Sequence, residues 1–246
     1  MKAIYLTLSG LFFSFSALAG PNINVGTVHD YLDGDQSSYL KRVFNGGTHT
    51  AFVRITVMEV LFNADGTHVE VPVKSQGNTQ VRDGLMASPA RLIVPAQGTQ
   101  ATRLLFMGQR DTERYFRVRF IPVVPEKEDE FTLSQEQSDG YKKTLSAGVN
   151  ILAGYGTFFF VRPENPRFDT QIENTPKQYS LHNNGNTVFV VDEFKDCAAN
   201  DPENCLAATK SHVRPGRTMR FGKQAGRLYR FVLIEGNARK TMEIKG

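Results

Sequence analysis

The sequence predicts an all-β protein built from sandwiches, and three observations carry that reading. Apolar and polar residues alternate with a period of two along most of the chain. β-branched and aromatic residues fill the alternating runs, and Gly, Pro and Asn interrupt them at short intervals. Helical periodicity is nearly absent, so any helix is expected to span a few turns at most.

The N-terminus reads as an export signal. Lys2 gives a basic start, Ile4 to Ala17 is mostly apolar, and Ala17-Leu18-Ala19 places small residues where a signal peptidase cuts. Cleavage is expected before Gly20, with residues 1–19 outside the fold. The apolar stretch is short for a bilayer span, and no later segment approaches the ~20 apolar residues a membrane helix needs. The protein is therefore expected not to be membrane-embedded. About 227 residues remain, enough for two domains of ordinary size. The net charge of +4 is mild and its basic residues are dispersed, which argues against nucleic acid as a partner.

Along the mature chain, Phe52–Val60 and Tyr115–Ile121 read as strands, the latter with Phe116, Val118 and Phe120 opposed to Arg117 and Arg119. Arg91–Val94 stops at Pro95, and Gln97-Gly98 leads into Thr102–Phe106. Glu126 to Lys143 is charged and rich in Gln and Ser, and is expected to be a long mobile loop. A long apolar run, Val149 to Val161, ends at Arg162-Pro163-Glu164-Asn165-Pro166, where two prolines stop strand pairing. A boundary there gives a first sandwich at 20–161 and a second at 163–246. Cys197 and Cys205 flank the turn-forming run 198–204 in an exported chain, which predicts a disulfide across a hairpin. Such a loop is worth roughly 2.6 kcal/mol in the chain-entropy account. His182 and His212 lie in the same half but at no zinc-binding spacing, so no metal is expected.

The segment before the boundary is the most informative. Ala147, Val149, Ile151, Ala153, Tyr155 and Thr157 share one face of an extended strand, with Gly148, Asn150, Leu152, Gly154 and Gly156 on the other. An ordinary core strand would show the same pattern. The length of the strand, the loop feeding it and its glycines favour an exposed edge that takes a partner strand, because an apolar edge without a partner is an aggregation hazard.

Several runs carry a resemblance. Arg91-Leu-Ile-Val-Pro-Ala-Gln-Gly98, Glu113-Arg-Tyr-Phe-Arg-Val-Arg-Phe120 and Gly156-Thr-Phe-Phe-Phe-Val-Arg-Pro163 resemble PapD-type periplasmic pilus chaperones. Leu181-His-Asn-Asn-Gly-Asn186, the cysteine pair and Val213-Arg-Pro-Gly-Arg-Thr-Met-Arg-Phe221 resemble the alternate branch of that family, which serves colonization-factor and common-pilus fimbriae. The resemblance implies two immunoglobulin-like domains in an L shape, fimbrial major and minor subunits as partners, and an outer-membrane usher. It implies donor residues at Val149, Ile151, Ala153 and Tyr155. It also implies a cleft anchor for the subunit's terminal carboxylate, at Thr157 and His29, with Arg42, Arg54 or Arg117 supplying the cation. Finally, it implies an interdomain trio of Arg162 with Glu113 and Glu235.

No enzyme is indicated. The chain has no HExxH, GxSxG or P-loop pattern, its five histidines are scattered, and Gly154-Tyr-Gly156 precedes no helix. No cofactor is expected. Two competing classes are weaker on the residues. A fimbrial adhesin or tip subunit should carry an apolar N-terminal extension, and Gly20–Gly26 is short and polar. A carbohydrate-binding module should cluster aromatics, and the chain has no tryptophan.

Overall fold

The structure, a computed structural model, describes residues 20–75, 82–126, 129, 131, 133–146 and 152–246. The expected signal segment 1–19 lies outside the described residues, as do the donor positions Val149 and Ile151.

Among the described residues, the first half contains β1 (Ile23–Asn24), β2 (His29–Leu32), β3 (Ser38–Asn45), β4 (Ala51–Phe62), β5 (His68–Pro72), β6 (Lys74–Ser75), β7 (Arg82–Ser88), β8 (Arg91–Val94), β9 (Thr99–Met107), β10 (Arg114–Val123), α1 (Gln135–Ser146) and β11 (Tyr155–Val161). They form a sheet ordered β1-β3-β9-β7-β6 and a second ordered β2-β11-β10-β4-β5, with β8 also on β4. The second half adds β12 (Thr170–Asn174), β13 (Gln178–Asn183), β14 (Phe189–Ala198), β15 (Asp201–Cys205), β16 (Thr209–Val213), β17 (Thr218–Gly222), β18 (Arg227–Glu235) and β19 (Ala238–Lys245). These make the sheets β12-β13-β17 and β15-β14-β18-β19, with β16 on β14.

Two separate cores follow from the alternation. Val43, Leu85 and Leu104 from one sheet meet Val53, Phe116, Val118, Phe120 and Phe159 from the other. In the second half, Tyr179 and Leu181 meet Phe189, Val191, Phe231 and Leu233. Phe116, Val118 and Phe120 are fully buried, as the opposing arginines at 117 and 119 require of a two-residue period. Cys197 and Cys205 face each other across the β14–β15 hairpin and are disulfide-bonded.

Within 126–143, where a mobile loop is expected, the structure has the N-terminal part of α1. Ser134 and Gln137 form a capping box: the Gln137 amide donates to Ser134 Oγ at 3.2 Å, and the Ser134 amide donates to Gln137 Oε1 at 2.9 Å. The helix docks through Tyr141, whose hydroxyl donates to the Thr50 carbonyl at 2.7 Å while its ring meets Phe52 edge-on. These anchors outweigh a polar composition that by itself argues for a loop.

A buried ion pair ties the two sheets of the first sandwich. Lys41 on β3 donates to Asp30 on β2 at 2.6 Å, with both side chains almost fully buried. Thr27 and Tyr39 hydroxyls satisfy the other carboxylate oxygen at 2.7 and 2.9 Å. This pair fixes β2, the strand that carries His29 and Tyr31.

Candidate functional site

β11 is half covered along one edge. β10 pairs with it antiparallel throughout, from Tyr155↔Phe120 to Val161↔Arg114. On the other side β2 runs parallel and pairs only from Phe158 to Val161. The Phe158 amide donates to the Val28 carbonyl at 2.7 Å, and the Arg162 amide donates to the Leu32 carbonyl at 3.0 Å. Even-numbered residues therefore direct their backbone groups toward the β2 side. Gly156 shares that parity, two residues before β2 begins to pair, and among the described residues no strand covers its edge. An unpaired edge of this kind is a template for another strand.

Side chains follow the same parity. Thr157, Phe159 and Val161 are buried in the core, and Tyr155 packs against it. Ala153, just before the strand, is exposed. Phe158 and Phe160 point to the opposite, outer face of the sheet. A Cβ on Gly154 would lie 2.9 Å from the Phe120 carbonyl oxygen, so that glycine answers to its own chain's backbone. On Gly156 a Cβ would make only ordinary contact, 3.6 Å from Arg117 Cδ.

The expected anchoring residues separate on inspection. Thr157 is corrected: its side chain is fully buried, and its hydroxyl donates to the Val118 carbonyl at 3.3 Å, so it faces the core. The residue that faces outward at this point is Phe158. Arg54 is engaged by Asp129 at 2.9 Å. Arg42 is exposed on β3, in the other sheet, next to the inward-facing Lys41. His29 and Arg117 do come together. Both are register partners of Phe158, one on each side, so His29–Phe158–Arg117 forms a single row across the sheet. The Arg117 guanidinium lies 4.8 Å above the Phe158 ring, and its Nε is 3.5 Å from Glu70. Burial lowers the His29 pKa, helped by Lys210 and Arg117 and opposed by Asp30.

The second sandwich closes over this row. His212 on β16 stacks on Phe160 at 5.0 Å and on His29 at 4.2 Å. Its Nε2 lies 2.6 Å from the Tyr31 hydroxyl. Arg214 lies 3.4 Å above the Phe62 ring, and Arg217 donates to the Asn63 carbonyl at 2.9 Å. His212 was considered from the sequence only as a metal ligand, not as part of this site. It lies far along the chain from His29, and no local pattern links the two.

Of the expected trio, Arg162 is near enough to Glu113 to favour its charged form, though without an ion pair. Arg162 pairs with Asp33, and its guanidinium sits between Tyr31 and Phe168, at 5.2 and 5.4 Å from their ring centres. No ion pair joins it to Glu113 or Glu235 among the described residues. The parallel β2–β11 ladder ends at Leu32↔Val161, so the next residues on the two strands, Asp33 and Arg162, are neighbours. The Glu113 oxygens are meanwhile taken by the second sandwich: the Thr187 hydroxyl donates at 2.6 Å and the Val188 amide at 3.0 Å, with Tyr115 adding a bond at 2.9 Å. Burial raises the Glu113 pKa against these hydrogen bonds. Glu235 accepts from Thr170 at 2.7 Å.

No family model matches the chain. It is 26% identical over 224 residues to the protein named "Probable fimbrial chaperone EcpB" of Escherichia coli O1:K1 / APEC, covering 90% of this chain and 89% of that one. The same holds for its counterpart in Escherichia coli O127:H6. Among solved structures, the class 5 fimbriae chaperone CfaA superposes with a TM-score of 0.53 at 20% identity, over 92% of this chain and 99% of that one. A chain of the complex of Salmonella enterica SafA pilin with the SafB chaperone gives 0.53 at 13% identity, over 92% and 96%. The structural likenesses concern the fold, a two-domain β-sandwich. In sequence and in fold together, the chain is similar to the PapD-like pilus chaperones, as its motifs imply.

Proposed function

We propose that this protein is a periplasmic, non-enzymatic chaperone of fimbrial subunits, which it holds by strand addition along β11 and hands to an outer-membrane usher. The observation that carries the reading is the open edge of β11 before Phe158, in a chain whose relatives are named fimbrial chaperones. A subunit lacking one strand presents unpaired backbone groups and an open apolar groove. The edge at Gly156 supplies backbone partners for the first, and alternate side chains upstream fill the second. On this reading Val149, Ile151, Ala153 and Tyr155 are the donor row. His29 and Arg117 flank the cleft where the subunit's terminal carboxylate is held, with Arg117 as the cation and Phe158 between them.

The reading also takes residues 1–19 as a signal removed on export, with sandwiches at 20–161 and 163–246. It requires no cofactor, nucleic acid or membrane span. No helix among the described residues is long and apolar enough to cross a membrane. Co-expression with a candidate pilin, followed by affinity purification from periplasm, tests the proposal. A stoichiometric chaperone–subunit complex is expected. A pilin that is equally soluble with and without this protein, and never co-purifies, would refute it.

A further inference from the structure

The junction between the sandwiches places two imidazoles face to face. His29 of β2 and His212 of β16 have ring centroids 4.2 Å apart, tilted by 31°. His212 is held on its other contacts by Phe160, nearly parallel at 14°, and by the Tyr31 hydroxyl at 2.6 Å. We propose that the His29–His212 pair is an acid-sensitive clasp, which joins the two sandwiches while neutral and loosens their junction when protonated. This inference needs only the junction, and stands whether or not a fimbrial subunit binds beside it.

The hydrogen bond sets the first requirement. Burial pushes the Tyr31 pKa up, so the hydroxyl keeps its proton, and beside a neutral imidazole it can donate to a bare Nε2 or accept from a protonated one, as the tautomer sets. A proton on His212 makes Nε2 a donor only, so the Tyr31 hydroxyl has to accept from it and can no longer donate to it. Charge sets the second requirement. β2 faces the pair with Asp30, whose carboxylate is already taken by Lys41, Tyr39 and Thr27. β10 contributes Arg117, beside Glu70 of β5, and β16 contributes Lys210, 3.0 Å from Asp192 of β14. β11 offers only the rings of Phe158 and Phe160. Each carboxylate near the pair thus already has a cationic partner, and a proton on either imidazole adds a further positive charge beside Arg117 and Lys210.

Burial, then His29 and Lys210, push the His212 pKa down to about 4, against Asp192. The His29 pKa is lowered as well. In the unfolded chain both return to about 6.5. Because the folded values are the lower ones, the unfolded chain takes up protons first on acidification. The clasp's contribution is complete above about pH 6.5 and is lost as pH falls toward 4. Glu113, whose pKa is raised, acts with the opposite sign, so a variant is needed to separate the two.

The experiment is a histidine-resolved NMR titration of the intact mature protein, paired with denaturant unfolding of wild type and His212→Gln between pH 7.5 and 5. Gln keeps an oxygen for Tyr31 but does not titrate. The expected midpoint of His212 lies below pH 6. From pH 6 to 5, wild type should lose on the order of tenfold more of its folding equilibrium constant than the variant, about one pH unit of proton linkage. A midpoint at pH 6 or above, or parallel pH profiles for the two proteins, overturns the proposal. If His212→Gln does not fold, the wild-type midpoint decides alone.

Discussion

Asn45 and Asn183 occupy equivalent positions in the two sandwiches. Each ends a strand with a buried carboxamide whose Nδ2 donates to the carbonyl four residues on, His49 at 2.7 Å and Thr187 at 2.9 Å. Each also donates to a distant strand end, Val94 at 3.1 Å and Val213 at 2.7 Å. Each Oδ1 accepts the amide two residues on, from Gly47 and Gly185. The two halves are thus built on one local plan, an Asn-x-Gly corner pinned to the turn that follows and to the end of a distant strand.

Replacing either asparagine by alanine should therefore destabilise its own sandwich. Two carbonyls and one amide lose their partner at Asn183, and three carbonyls and two amides at Asn45, a cost of about 2–4 kcal/mol or more. Asn183→Ala is expected to lower the urea midpoint without changing secondary structure, as read by circular dichroism below the transition.

The Lys41–Asp30 pair is predicted to be the more fragile feature. Lys41→Ala leaves a buried carboxylate held only by two hydroxyls, which should cost about 3–5 kcal/mol. Thermal unfolding should show the loss, and the signals of His29 and Tyr31, on the strand that Asp30 fixes, should shift first.

Glu113 is expected to matter more than Arg162 to the junction. Glu113→Ala leaves the Val188 amide and the Thr187 hydroxyl without acceptors, about 2 kcal/mol or more. Arg162→Ala removes a pair with Asp33, whose carboxylate is exposed enough for water to replace the lost bond. Equilibrium unfolding of both variants should rank them in that order. Because burial raises the Glu113 pKa above 4.5, its contribution is greatest at low pH and declines as pH rises through the folded value.

Much of this was legible in the sequence, for physical reasons that also explain the errors. Period-two alternation placed Phe116, Val118 and Phe120 inside because a strand has only two faces. The same rule puts Thr157 on the face of Phe159 and Val161, inside. The family pattern suggested a cleft role, and parity overrules it. The capping box at Ser134 and Gln137 was a readable helix start, hidden by the polarity of the residues around it. The Lys41–Asp30 pair and the stacking of His212 on His29 arise from long-range closure of sheets and sandwiches, which no local spacing encodes.

Ile151→Asp should abolish subunit capture while leaving the isolated protein folded. A carboxylate entering an apolar groove either stays charged at a large desolvation cost or is forced neutral. Every ~1.4 kcal/mol of that cost is tenfold in affinity. Thermal unfolding and co-purification on this one variant separate the readings: a first sandwich that fails to fold would make Ile151 an ordinary core residue.

The central claim is that a subunit's strand pairs with the open edge of β11, and amide hydrogen exchange at Gly156 reads it most directly. Its N–H shares the parity of Phe158 and Arg162, which donate toward the β2 side, yet has no strand opposite it among the described residues. In the free protein it should exchange rapidly, unlike the amides of Phe158 and Arg162. On adding a fimbrial subunit its exchange should slow by roughly a hundredfold or more, as expected for an amide that enters a stable ladder. A bound subunit that leaves Gly156 exchanging as fast as before would contradict the account.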